Sequence, residues 1–209
     1  MTTRAEMREK VRNFLKDTTT KKASDEELND YLDYALADYS HHFPRCLVAE
    51  YQPTIDIPPP ADMLPGESVD AVEVDDTIWP QYYLGATNMP AQCWYWYGEK
   101  IRLSETPSQS VRLHYRGLHA FVIPQGKSYD EAELTVPLAD EELILLYAAA
   151  KFHQKVGTIA AKLDRFRERG ERDDNPLIMM HDLLMQQYQQ KIDDRIRRGT
   201  FRLRRVSWT

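Results

Sequence analysis

Between Leu138 and Thr158 the chain reads LADEELILLYAAAKFHQKVGT, a segment that is apolar on nearly every side of a helix. Asp140, Glu141 and Glu142 open it, where carboxylates complement the positive end of the helix dipole. Leu143, Ile144, Leu145, Leu146, Tyr147, Ala148 to Ala150 and Phe152 follow. A helix apolar all round is buried. A bilayer span takes about 20 apolar residues, more than this charge-flanked run supplies, so no membrane segment is expected. The stretch therefore predicts a central core helix on which other helices pack, with the alanines allowing close approach.

The remaining elements read outward from that helix. Met7, Val11, Phe14 and Leu15 predict a first amphipathic helix over residues 3–16. Ser24-Asp25-Glu26-Glu27 has the spacing of a capping box. The helix it starts carries Leu28, Tyr31, Leu32, Ala35, Leu36 and Tyr39 on one face and stops before Pro44. Short strands are predicted at 46–51, 68–74, 78–84, 92–103 (a hairpin turning near Gly98), 111–115, 118–123 and 133–136. Prolines 58, 59, 60 and 65 exclude helix interior between them. After the central helix a charged helical stretch is expected over 160–169. A last helix starts at Pro176, shows Leu177, Met180, Leu184, Tyr188, Ile192 and Ile196 as one stripe, and is expected to end at Gly199.

These elements predict an α+β chain: an antiparallel helical bundle with a β-rich insertion between the second and third helices and an extended C-terminal tail. The expected divisions are 1–43 and 137–198 for the bundle, 44–136 for the insertion and 199–209 for the basic tail. The 209 residues suffice for one substantial core. Cys46 and Cys93 match no metal spacing and predict neither a disulfide framework nor an oxidising compartment. MTTRAEMREK has no apolar run, so no secretory signal is expected.

No catalytic set is legible, and no enzyme, metal or cofactor is expected. The chain has no G-x-S-x-G, phosphate-loop, H-E-x-x-H or dinucleotide fingerprint. The tandem His41-His42 reads as a helix C-terminus favouring positive charge. His114 and His119 lack neighbours to complete a ligand set, and Asp75-Asp76 and Asp173-Asp174 read as solvated loop acids.

Two stretches carry surface chemistry. In Trp94-Tyr95-Trp96-Tyr97 successive residues face opposite sides of a strand, so both faces are aromatic. The strand is either buried on both sides, part of a subunit interface, or a carbohydrate-stacking platform together with Trp79 and Tyr82. From Arg195 onward there are six arginines and no acid, which leaves about −12 on the preceding residues of a chain whose net charge is −6. Arg195, Arg198, Arg202, Arg204 and Arg205 with Phe201, Leu203, Val206 and Trp208 read as a disordered end, a phosphate-binding tail, or a segment that docks on a protein partner. Large apolar residues at regular intervals favour docking, since contact with phosphates has no use for them.

The order of elements resembles the head–tail connector (adaptor) proteins of long-tailed bacteriophages. The likeness is carried by SDEELNDYLDYALADYS at 24–40, Leu64-Pro65, VRLHYRG at 111–117 and VPLADEELILLYAAAK at 136–151. It implies a structural virion protein of the neck, made in the host cytoplasm, forming a ring usually of twelve copies beneath the portal. Its partners would be copies of itself, the portal protein and the next neck or tail protein. DNA would pass through without sequence-specific binding. The residues from Arg195 onward match the extension that docks on the portal, and the aromatic strand becomes a candidate subunit interface. The alternatives are a nucleic-acid-binding assembly factor using the arginines and a virion carbohydrate-binding module using exposed aromatics.

Overall fold

The computed structural model describes residues 1–17, 23–66, 68–86, 88–164 and 176–206, with side chains throughout except at 159–164, 176–178 and 199–206. In chain order the helices are α1 (Arg4–Leu15), α2 (Asp25–His42), α3 (Glu141–Asp164) and α4 (Pro176–Val206). The strands are β1 (Arg45–Tyr51), β2 (Asp56–Ile57), β3 (Val69–Val74), β4 (Thr77–Trp79), β5 (Trp94–Tyr97), β6 (Lys100–Leu103), β7 (Val111–Gly117), β8 (Phe121–Val122) and β9 (Glu133–Leu134).

Among the described residues there are thus four α-helices, two short 3-10 helices (Tyr129–Glu131 and Leu138–Asp140) and nine strands in three antiparallel sheets. This overturns the expected fold class: the chain is not an antiparallel helical bundle carrying one β-rich insertion and an extended tail. It divides into two compact units, Met1–His42 with His119–Thr209, and Phe43–Leu118. The segment from His119 to Val136, expected in the insertion, belongs with the helices because its strands bond to the N-terminus. β8 pairs only with β9, Leu134 N–H donates to Thr2 O (2.9 Å) and Arg4 N–H to Ala132 O (2.9 Å).

In the first unit α1 and α2 each start with a reciprocal cap. Thr3 and Glu6 exchange bonds of 3.2 and 2.8 Å, and Ser24 and Glu27 exchange bonds of 3.1 Å. α3 packs against α1, α2 and α4. Leu143, Ile144, Leu146, Phe152 and all three alanines are buried, as are Leu28, Leu32, Ala35 and Leu36 of α2 and Leu184, Tyr188 and Ile192 of α4. Full burial of each large aliphatic side chain contributes about 1.5–3 kcal/mol, so Ile144→Ala is the single change that would weaken this centre most directly.

α1 departs from its apolar reading. Met7 and Val11 are buried as expected, but Phe14 is largely exposed and the buried row also holds Arg4, Arg8 and Arg12. Arg4 forms a fork on Asp33 (2.9 and 3.3 Å) and lies over the rings of Phe121 and Tyr129. Arg8 reaches Asp130 (2.8 Å) and Asn29 (3.2 Å), and Arg12 holds Ala23 O (3.0 Å), Asp25 and Asp17. Arginines four apart share one helix face, and here that face meets carboxylates, an amide, a backbone carbonyl and two aromatic rings.

One expected helix end does not occur, and two expected helical stretches are one. α3 is continuous from Glu141 to Asp164, joining the central run to the start of the charged stretch expected from residue 160. α4 runs through Gly199 to Val206, so the stretch expected as an extended tail is helical up to that residue. A glycine inside a helix costs only about 1 kcal/mol, and arginine is a good helix former that also complements the negative C-terminal end of the dipole.

The second unit holds a four-stranded sheet in the order β1-β7-β3-β4 and a three-stranded sheet in the order β2-β6-β5. Their shared core contains Ile57, Val72, Val74, Trp79, Trp94, Ile101, Leu103, Val111, Leu113 and Tyr115. Asp75 and Asp76, both at positive φ (50° and 59°), form the two-residue turn between β3 and β4. Pro80 ends β4 early, since it has no N–H to give the ladder. Gly117 is packed so closely that a Cβ there would lie 2.5 Å from Leu47 Cδ1 and 3.2 Å from Asp62 O. Asp62 also accepts a bond from Tyr115 Oη (2.9 Å); burial, then that bond, pushes the phenol up to about 12.

Candidate interaction surfaces

The aromatic strand resolves into two unlike faces. Trp94 is buried and Trp96 packs partly buried against the same core, while Tyr95 is half-buried and Tyr97 exposed on the other face. Period-two alternation along β5 dictates this division. Of the four candidate interface residues, Trp94 is therefore committed to the interior. Trp79 is buried too, so neither tryptophan can offer a stacking platform.

The outward face of β5 is organised by an arginine. Arg102 on β6 lies 4.2 Å above the Tyr97 ring and forms a fork on Asp56 (2.6 and 2.8 Å). The Arg102 bond holds the Asp56 carboxyl below its ordinary value, and Tyr95 packs edge-on to Tyr82 (6.4 Å). On this aromatic face Arg102 and Asp56 are paired, while Lys100, opposite Tyr97, is exposed. An aromatic face of this kind is suited to burial against a partner surface.

In the helical unit α2 and α3 frame an open groove of about 790 Å3. Tyr31, Tyr34, His41, Tyr147, Lys151 and Lys155 line it. Tyr34 sits one residue off the buried stripe of α2 and is 59 % exposed, so the stripe that predicted a core face did not mark it. Lys155 pairs with Glu27, and that contact lowers the Glu27 pKa.

At Asp38, which also lines the groove, α2 and α4 are joined by polar contacts. Tyr188 Oη donates to Asp38 Oδ2 (2.6 Å), and His42 Nε2 lies 3.8 Å from the same oxygen. Burial first, then the bond to Asp38, raises the Tyr188 pKa well above the usual phenol range. Tyr39 Oη donates to Asp140 Oδ2 (2.5 Å), and Arg195 pairs with the other oxygen of Asp140, which is buried. Arg195 thus has a partner within its own unit while its side chain stays 38 % exposed. Arg198 is exposed. The side chains of Phe201, Arg202, Leu203, Arg204, Arg205 and Val206 lie outside the described residues, as does Trp208 altogether.

His114 and His119 have structural partners. His114 Nε2 meets Glu73 Oε2 at 2.9 Å, and His119 packs edge-on to Tyr39 with its Nδ1 3.2 Å from Thr135 Oγ1. Asp173 and Asp174 fall outside the described residues. Among the described residues no group of three or more His, Cys, Asp or Glu is placed to hold a metal ion, and no helix is long and apolar enough to cross a membrane. No family model matches the chain, and no curated protein matches it in sequence.

Proposed function

We propose that the chain is a structural protein of a bacteriophage neck that assembles as a ring under the portal, extends the DNA channel and joins head to tail. The observation that carries this reading is the form of α4. The helix is anchored by Leu184, Tyr188 and Ile192, all buried, and continues through Gly199 to Val206. Its final turns carry a concentration of arginine without any acid. A helix fixed at one end and strongly basic at the other is suited to docking in a groove of an acidic partner.

Arg198, Arg202, Arg204 and Arg205 supply charge to that contact, and Phe201, Leu203, Val206 and Trp208 its apolar anchors. Arg195 serves the fold instead, through Asp140. Ring copies bound to one portal would multiply a modest single-site affinity. Tyr97, exposed, and Tyr95, half-buried, remain on the outer face of the aromatic strand for contact between subunits. The formal −12 before Arg195 suits a wall that DNA passes without being gripped.

The test mixes the purified protein with the portal ring from the same genome, with and without residues 199–209. Removing them leaves Leu184, Tyr188 and Ile192 in place, so the helical core is kept. The full-length protein is expected to co-elute with the portal and appear as a ring in particle images, and the truncated one to elute alone. If neither binds and the full-length chain retards DNA with a steep salt dependence, the neck reading fails and a nucleic-acid role replaces it.

A further inference from the structure

β1 ends the four-stranded sheet with an open edge. Its register with β7 and the bonds of Arg116 fix which way its backbone points. Arg116 N–H donates to Ser68 O and Arg116 O accepts from Leu64 N–H, so the even-numbered residues of β7 face away from β1. The odd-numbered residues of β7 therefore face β1, where they meet Arg45, Leu47, Ala49 and Tyr51. Cys46, Val48 and Glu50 are left with outward N–H and C=O groups, and none of these finds a backbone partner among the described residues. All three side chains are exposed, Val48 at 57 %.

Open edges are ordinarily blunted by shortness, proline, a bulge or charged side chains. β1 has seven residues, no proline and regular pairing along its whole length, and its two charges, Arg45 and Glu50, lie toward its ends and leave Cys46 to Ala49 uncharged. The opposite edge, β4, has three residues and stops at Pro80. The core also thins toward β1. Tyr115, Leu113 and Val111 are buried, whereas Leu47, Ala49 and Tyr51 facing them are only partly covered.

We propose that β1 pairs antiparallel with β1 of a second copy, in register about Val48, to join the two four-stranded sheets into one. The second copy is the occupant because that register matches the edge to itself. Leu47 faces Ala49, Val48 faces Val48 and Cys46 faces Glu50, so every residue keeps its own side of the sheet and no like charges stand opposite. The half-covered apolar row of one copy then continues into that of the other. The contact is isologous and closes at two copies, unlike the head-to-tail contact of a ring. It therefore gives the unassembled chain a dimeric form, whatever its final partner.

Sedimentation of the full-length protein over a concentration series is expected to show a monomer–dimer equilibrium. Val48→Lys sets two lysines face to face and should raise the dissociation constant by about tenfold or more. Mixing it with Val48→Glu should restore the dimer as a heterodimer, a rescue that a misfolded variant cannot give. Register is read by disulfide trapping. Glu50→Cys should cross-link to Cys46 of the second copy under diamide, and Cys46→Ser with Val48→Cys should cross-link through position 48. A chain monomeric at every concentration, a dimer indifferent to Val48→Lys, or trapping at neither position overturns the proposal. A monomer that still joins the portal would leave the neck reading standing, and a dimer that binds no portal would do the reverse.

Discussion

Tyr188, buried on α4, donates its phenol proton to the Asp38 carboxylate of α2 at 2.6 Å. The bond spans the two helices that flank α3, and the Tyr188 ring also packs edge-on to Tyr147 of α3 (5.2 Å). Tyr188→Phe keeps the ring and removes only the donor. Hydrogen bonds to charged groups contribute about 1.5–3 kcal/mol, but the Asp38 side chain is 36 % exposed and water can replace the lost partner. The expected loss is therefore about 1 kcal/mol, read as a lower denaturant midpoint at unchanged slope. An unshifted midpoint would show that the bond adds nothing net.

Arg12 and Asp17 make the most deeply buried ion pair of α1, at 3.6 Å with side chains 4 % and 1 % exposed. Arg12→Met takes the cation from a carboxylate that stays buried, a change worth about 3–5 kcal/mol. Asp17→Asn in the same chain removes the stranded charge and should recover a large part of that loss. A double-mutant cycle by chemical denaturation measures the coupling. Additive single effects would mean that the two groups do not stabilise one another.

Stability should fall on the acid side. Asp25 is held below its ordinary 3.8 first by the Arg12 bond, and Glu27 below its ordinary 4.5 first by the Lys155 bond. A carboxyl with a lowered folded value contributes fully above its unfolded value and loses that contribution as pH drops through the folded one. The decline therefore begins near about pH 4 and steepens below it. Asp25→Asn should lower stability at neutral pH and make the acid limb shallower. Unfolding free energies from pH 2 to 7 test this, and identical slopes in the two proteins would refute the assignment.

Period and capping chemistry were the legible parts of the chain. The S-x-x-E box at Ser24 and the apolar run from Leu143 to Phe152 each constrain one local geometry, and both formed. The polar α1 face was illegible because Arg4 and Arg8 look solvated until Asp33 and Asp130 are brought to them from distant parts of the chain, and Arg12 until the chain after α1 turns Asp17 back onto it. Gly199 misled for the opposite reason, since a local stop signal worth about 1 kcal/mol was outweighed. At the candidate surfaces, alternation divided Trp94 and Trp96 from Tyr95 and Tyr97 but could not say which pair lay inside. Sheet order decides that, and sheet order also makes β1 an edge, which its seven residues alone do not reveal.

Gly199 offers a test whose sign separates two conformations. A glycine that ends a helix sits in the left-handed region, where alanine is strained and destabilises. A glycine within a helix wastes backbone entropy, and alanine gains about 1 kcal/mol of local helix stability. Because α4 continues to Val206, Gly199→Ala should raise the helical signal at 222 nm and slow amide exchange over residues 200–206. A helix pre-ordered in this way enters a docking groove with less conformational entropy to lose, so the same variant should also bind the portal more tightly. Reduced helicity would instead mean that the helix stops at Gly199 and that the basic end docks in another form.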